Sequence, residues 1–145
     1  MERPALGAAV LHLVPGTAHE PESPFVYTGR TLLTPLLEVE LDEAGHIVSL
    51  ITRADGMQWA GGPMNTLLLA EDVSAGWDGW DIDADCLMKL HPAGCLTEQK
   101  VTVDGSREFR LHSRYELGTA TILEQDMIFR AESTLVEWQT VLHWN

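Results

Sequence analysis

From Leu36 onward the chain alternates apolar and polar residues with a period of two. Leu37, Val39 and Leu41 are interleaved with Glu38 and Glu40, the arrangement of a strand with one buried face and one wet face, since successive side chains point to opposite sides. The turn DEAG at 42–45 follows, and 46–52 is predicted to return as the second strand of a hairpin. The second half repeats this at greater length. Residues 96–103 run into Asp104-Gly105, a hairpin signal in which glycine is expected to take the positive φ of a primed turn. Phe109, Leu111, Ser113, Tyr115 and Leu117 then alternate with Arg110, His112, Arg114 and Glu116 until Gly118 breaks the run. Two further long strands are predicted over 119–130 and 134–144, the last with Val136, Trp138, Thr140, Leu142 and Trp144 on one face.

No window of similar length keeps a 3.6-residue period, so little helix is expected. Consecutive long strands joined by tight turns predict an antiparallel meander, and the apolar face of so large a sheet needs a second layer over it. The expected fold is therefore all-β, an antiparallel β-sandwich. Before it, Pro15, Pro21 and Pro24 mark 15–24 as an extended connector, and the apolar stretch 5–14 reads as one short strand. The expected organisation is an N-terminal strand and proline-rich connector over 1–30 and one sandwich domain over 31–145. The running strand stops at LHWN, so the domain is expected to be truncated at its C-terminal end, with an open strand edge and self-association through exposed edges as the consequence.

Composition narrows the function. Nine Lys and Arg against 22 Asp and Glu give a formal charge of −13, which repels phosphate backbones and anionic lipid, so neither nucleic acid nor membrane is an expected partner. No apolar run is long enough to span a bilayer. Cys86 and Cys95, outside any CxxC pair, read as free thiols of a cytoplasmic protein.

The chemistry-bearing stretch is GWDGWDIDAD at 76–85, which crowds Trp77 and Trp80 among Asp78, Asp81, Asp83 and Asp85. It lies in a long connection between a strand expected at 66–71 and the next near Leu96. Close carboxylates repel one another, so an ordered loop needs offsetting hydrogen bonds or a partner surface. The aspartates could accept backbone N–H groups while the tryptophans plug one end of the sandwich. Alternatively, the indoles could stack on a sugar whose hydroxyls donate to the carboxylates. Calcium is a third reading, since Asp81, Asp83 and Asp85 alternate like the start of an EF-hand loop. It fails because Cys86 stands at the glycine position and Pro92 at the bidentate glutamate position. The six histidines form no HxxxH or HExxH pattern, and His12, His19, His46, His91 and His112 read as solvated; His143 stands next to Trp144 in the final strand.

The run TPLLEVELDEAGHIVSLI, then Asn65, Glu71-Asp72, WDGWDID at 77–83 and VLHWN at 141–145 resemble, in order and spacing, the β-sandwich region of family 38 glycoside hydrolases, the α-mannosidases. The resemblance extends from about Leu32 to Asn145, with Gly79 in place of the family's usual alanine and Val73-Ser74 in place of its basic-proline pair. It implies a galactose mutarotase-like sandwich that accompanies a separate catalytic barrel. In that family the barrel holds a zinc ion on two His and two Asp and carries an aspartate nucleophile for retaining hydrolysis of α-mannosides. None of those motifs maps onto this chain, so no cofactor and no catalytic residue are expected in it.

A retaining glycosidase also needs two carboxyl groups opposed at about 5 Å, which four acids on one loop do not provide. The expected role is a scaffold for the catalytic domain, inactive alone, with Trp77, Asp78, Trp80, Asp81 and Asp83 facing the barrel or its α-mannoside cleft. A stand-alone carbohydrate-binding module using the same loop is the alternative. Fold analogy also admits an aldose epimerase, which needs a converging His and Glu pair.

Overall fold

A computed structural model describes residues 21–73, 84–118 and 120–144, with the isolated positions Val10, His12, Gly16, Gly76 and Ile82. The strand expected over 5–14 lies largely outside the described residues. The described chain is all-β apart from one 3-10 turn, and every strand pairing is antiparallel.

The first sheet consists of β1 (Val26–Tyr27), β2 (Thr31–Leu33), β3 (Leu37–Leu41) and β4 (Ile47–Thr52), hydrogen-bonded in that order. The expected alternation holds in β3, where Leu37, Val39 and Leu41 are buried. The β3–β4 turn is built by Asp42, whose Oδ1 accepts the backbone N–H groups of Ala44 at 2.9 Å and His46 at 2.8 Å. Gly45 follows at φ 80°, where an L side chain is strained. β1 and the buried Phe25 carry the sandwich upstream of residue 31.

Leu68–Leu69 (β5) and His91–Pro92 (β6) form a separate two-stranded ribbon, so only the middle of the strand expected over 66–71 is extended and paired. The second sheet comprises β7 (Cys95–Asp104), β8 (Glu108–Leu117), β9 (Thr121–Arg130) and β10 (Val136–His143) in a simple meander. The β7–β8 connection differs from the expected primed turn. Gly105 is not among the glycines at positive φ, and the loop closes by its N–H donating to the Glu108 carbonyl at 3.0 Å. Three residues separate the two strands, which removes the requirement for left-handed backbone that a two-residue turn imposes.

The two sheets face one another. Phe25, Leu32, Leu37, Val39, Leu41, Ile47 and Leu50 from the first side meet Phe109, Leu111, Met127 and Phe129 from the second in one buried cluster. Phe109 is the central piece, with ring centroids 5.8 Å from Phe25 and 5.5 Å from Tyr27. Tyr115, Leu117 and Leu123 form a smaller cluster with Leu67, Leu69, Ala93 and Leu96, and this end of the sandwich carries the β5–β6 ribbon. A polar link also joins the sheets, Tyr27 Oη donating to Gln99 Oε1 at 3.3 Å, and within the second sheet Gln99 Nε2 donates to Ser113 Oγ at 3.1 Å.

Candidate functional site

The connection that leaves β5 and returns at β6 springs from the end of the sandwich packed by Leu67, Leu69 and Ala93. Pairing of Leu68 with Pro92 and of Leu69 with His91 brings its two feet side by side. Trp77, Asp78, Trp80, Asp81 and Asp83, the residues expected to face a barrel or a sugar, lie outside the described residues. The described part of the connection mixes charged residues with exposed apolar ones. Ile82 is 70% exposed, and Leu87 and Met88, on the 3-10 turn Cys86–Met88, are 80% and 87% exposed. Asp85 and Lys89 bracket that turn with an ion pair at 2.8 Å. Side chains this exposed bury little apolar area against the described chain.

The outer face of the second sheet holds a connected set of ionisable side chains. Arg110 bonds Glu108 at 2.9 Å along its own strand and Asp126 at 3.2 Å across to β9, and Asp126 also meets His112 Nδ1 at 2.7 Å. The Glu108 carboxylate hydrogen-bonded to it, with Asp126 in support, holds the Arg110 guanidinium above its ordinary pKa. His112, expected to be solvated, is thus a half-buried member of a cross-strand ladder. His46 likewise contacts Asp42 Oδ2 at 3.0 Å, whereas His143 meets Glu124 at 3.3 Å on an exposed edge. Both carboxylates of the ladder are tied to the same guanidinium, on the open face of a sheet, so they do not oppose one another across a cleft as a retaining glycosidase requires. The arrangement is that of cross-strand pairing. Among the described residues, no group of three or more His, Cys, Asp or Glu side chains is placed to hold a metal.

A cavity of about 360 Å³ opens on the side of the sandwich where β4 and β10 end the two sheets. Leu37, Leu50, Thr52, Trp59, Met64, Thr134 and Leu135 line it, with Trp59 and Leu135 as exposed rims. The indole Nε1 of Trp59 donates to Thr52 Oγ1 at 3.3 Å, which leaves the ring face on the cavity side to make apolar contact. The sequence carries no signal for it, because 53–62 has no periodicity and Trp59 stands alone there.

The profile of the glycosyl hydrolases family 38 C-terminal domain matches residues 32–145. No curated protein gives a significant match to the chain.

Proposed function

The chain belongs to the glycosyl hydrolases of family 38, through their C-terminal domain, and from this we propose that it is a non-catalytic β-sandwich domain of an α-mannosidase-type enzyme. Its role is to hold the catalytic domain and to lend a loop to the edge of the sugar cleft. The observation that supports this reading best is the exposure of Ile82, Leu87 and Met88 on a connection clamped at its feet by β5 and β6. Trp77 and Trp80 fall within the same connection and add apolar area, while Asp78, Asp81 and Asp83 offer acceptors to fixed donors of the facing domain. Zinc and the hydrolytic carboxylates belong to that other domain, and the present chain alone turns over no mannoside. Cys86 and Cys95, both free thiols, accord with a cytoplasmic enzyme.

The test is reassociation with a separately expressed catalytic region of the family. Trp80→Ala, and independently Leu87→Ala with Met88→Ala, should weaken the complex by about tenfold or more, as loss of interface anchors does. Unchanged affinity in both variants refutes the reading. Tryptophan fluorescence during titration with mannose or mannobiose separates the scaffold from a carbohydrate-binding module: a saturable change that Trp80→Ala abolishes assigns the loop to sugar, and a flat titration assigns it to protein.

A further inference from the structure

After β4 the chain turns back and runs beside that strand as a strap, pinned at two places. The Trp59 N–H donates to the Leu50 carbonyl at 2.8 Å, and Gln58 Oε1 accepts the N–H groups of Leu50 at 2.8 Å and Ala60 at 3.1 Å. Further on, the Met64 N–H donates to the Ile47 carbonyl at 2.8 Å, and Asn65 is tied to Gln125 of β9. Gly61, Gly62 and Pro63 span the interval between the pins. A strap fixed in this way is not free to settle onto the core. It sets Trp59 and Met64 against the cavity of about 360 Å³, together with Leu37 and Leu50, which are 1% and 8% exposed, and Leu135 at the rim.

Trp59 is also preset in orientation. Its indole Nε1 donates to Thr52 Oγ1, the Thr52 hydroxyl donates to Asp55 Oδ1, and the same oxygen accepts the Met57 N–H at 3.1 Å. This relay fixes the ring although it is 59% exposed, and it spends the indole and hydroxyl groups on each other. None of the side chains lining the cavity is ionisable. Arg53, the one cation between β4 and Asn65, donates to the Thr34 carbonyl at 2.8 Å.

We propose that this cavity is a binding site for a neutral aromatic molecule of one or two fused rings, stacked on Trp59. The lining gives water few hydrogen-bond partners, so an apolar guest that displaces it gains free energy. An apolar cavity of about 150 Å³ is enough for benzene, and the volume here admits a second ring. Aromatic guests are favoured over aliphatic ones because the indole face takes offset stacking and the Met64 thioether takes a ring edge. Charge is selected against from both signs. Asp55, one hydrogen bond from Thr52, and the formal charge of −13 oppose a carboxylate, while an ammonium group would lose its hydration against Leu37 and Leu50. The site lies apart from the β5–β6 connection and does not depend on its role.

Indole is the probe. With the methionine methyl groups isotope-labelled, indole should shift the Met64 resonance saturably through its ring current and leave Met88, 87% exposed on the β5–β6 connection, where it was. Met64→Leu assigns the resonance by its loss. Trp59→Ala should raise the dissociation constant about tenfold or more, with far-UV circular dichroism showing the strands retained. Leu50→Phe, which fills the cavity from the core side, should abolish the shift, and Trp59→Ala, at an exposed position, decides the matter where Leu50→Phe does not fold. Indole-3-propionate, the same rings with a carboxylate, should bind more weakly than indole. A Met64 shift that stays linear up to the solubility of indole, an equal shift at Met88, an affinity that Trp59→Ala leaves unchanged, or tighter binding of the propionate overturns the proposal. So does loss of indole binding on addition of a separately expressed family 38 catalytic region whose complex Trp59→Ala weakens. That outcome gives the cavity to a side chain of the other domain and leaves the scaffold reading standing.

Discussion

Asn65 Nδ2 donates to Gln125 Oε1 at 2.5 Å, tying the chain just after the Met64 bridge to the buried face of β9. Gln125 passes the link on, its Nε2 donating to Thr140 Oγ1 at 2.9 Å. Asn65 is the one described non-glycine residue at positive φ, 62°, a conformation that asparagine tolerates better than most residues. Asn65→Ala should therefore destabilise the fold by about 1–3 kcal/mol, because it strands a buried amide. Asn65→Gly loses the same hydrogen bonds but accepts the backbone, and should recover about 1 kcal/mol of that loss. Urea unfolding of the three proteins measures both quantities; equal stabilities for the two variants would show that the backbone conformation carries no cost.

Gly45 should be intolerant of any side chain for two separable reasons. Its φ of 80° disfavours one, and a Cβ there would stand 2.7 Å from Tyr115 Oη and 3.1 Å from Gln99 Nε2. Gly45→Ala is expected to destabilise by about 1–2 kcal/mol from the backbone alone, with the steric conflict added. Introduced into a Tyr115→Phe background, which removes the conflicting oxygen, the same change should cost less by about 0.5 kcal/mol or more. Strict additivity in this double-mutant cycle would remove the steric part of the explanation.

Truncating the aromatic centre of the core should be the most damaging single change. Phe109 is 1% exposed and contacts the rings of Phe25 and Tyr27. Phe109→Ala is expected to destabilise by about 3–5 kcal/mol, from lost burial and the cavity left behind. Phe109→Leu should cost less. Thermal denaturation followed by near-UV circular dichroism checks both, and a loss under about 1 kcal/mol for the alanine variant would mean that the sheets do not depend on this contact.

Acid should weaken the β3–β4 turn through Asp42. Burial pushes its carboxyl up, but hydrogen bonds from the backbone and ring of His46 and from the Ala44 N–H outweigh that and hold it below the usual carboxylate range. A carboxyl with a lowered folded-state pKa contributes stability that is present above the unfolded value of about 4 and is lost as pH falls through the folded value. Stability measured from neutral pH downward should accordingly fall below about pH 4, and Asp42→Asn, which cannot ionise, should fall less steeply over that range. Parallel curves for the two proteins would assign the acid sensitivity elsewhere.

The strands best forecast by their sequence are those whose two faces meet different surroundings. In β3 and β8 one face lies in the core and the other in water or in the polar ladder, so burial and alternation coincide, and in β9 they coincide until Ile128, which is buried on the outer face. β10 shows the limit of that logic. Its alternation is as clear as any, yet Thr140 and Leu142 are exposed, because period two reports which residues share a face and not what covers it. β1, β2 and β5 are two or three residues long, below the length at which a period can be counted, and β6 contains Pro92, which argues against a strand from sequence alone. The WDGWDID motif is legible as chemistry and as family likeness, but apart from Ile82 it lies outside the described residues. The apolar cavity beside Trp59 left no trace in the sequence, since it is assembled from β3, β4, an aperiodic segment and the turn before β10.

The short ribbon formed by β5 and β6 also bears on how this family can diversify. With the feet of the connection already joined, lengthening the loop does not stretch the frame, and doubling its length adds only about 0.6 kcal/mol of closure entropy. The connection between β5 and β6 is thus an insertion port, where the domain can exchange one loop for another without renegotiating its core.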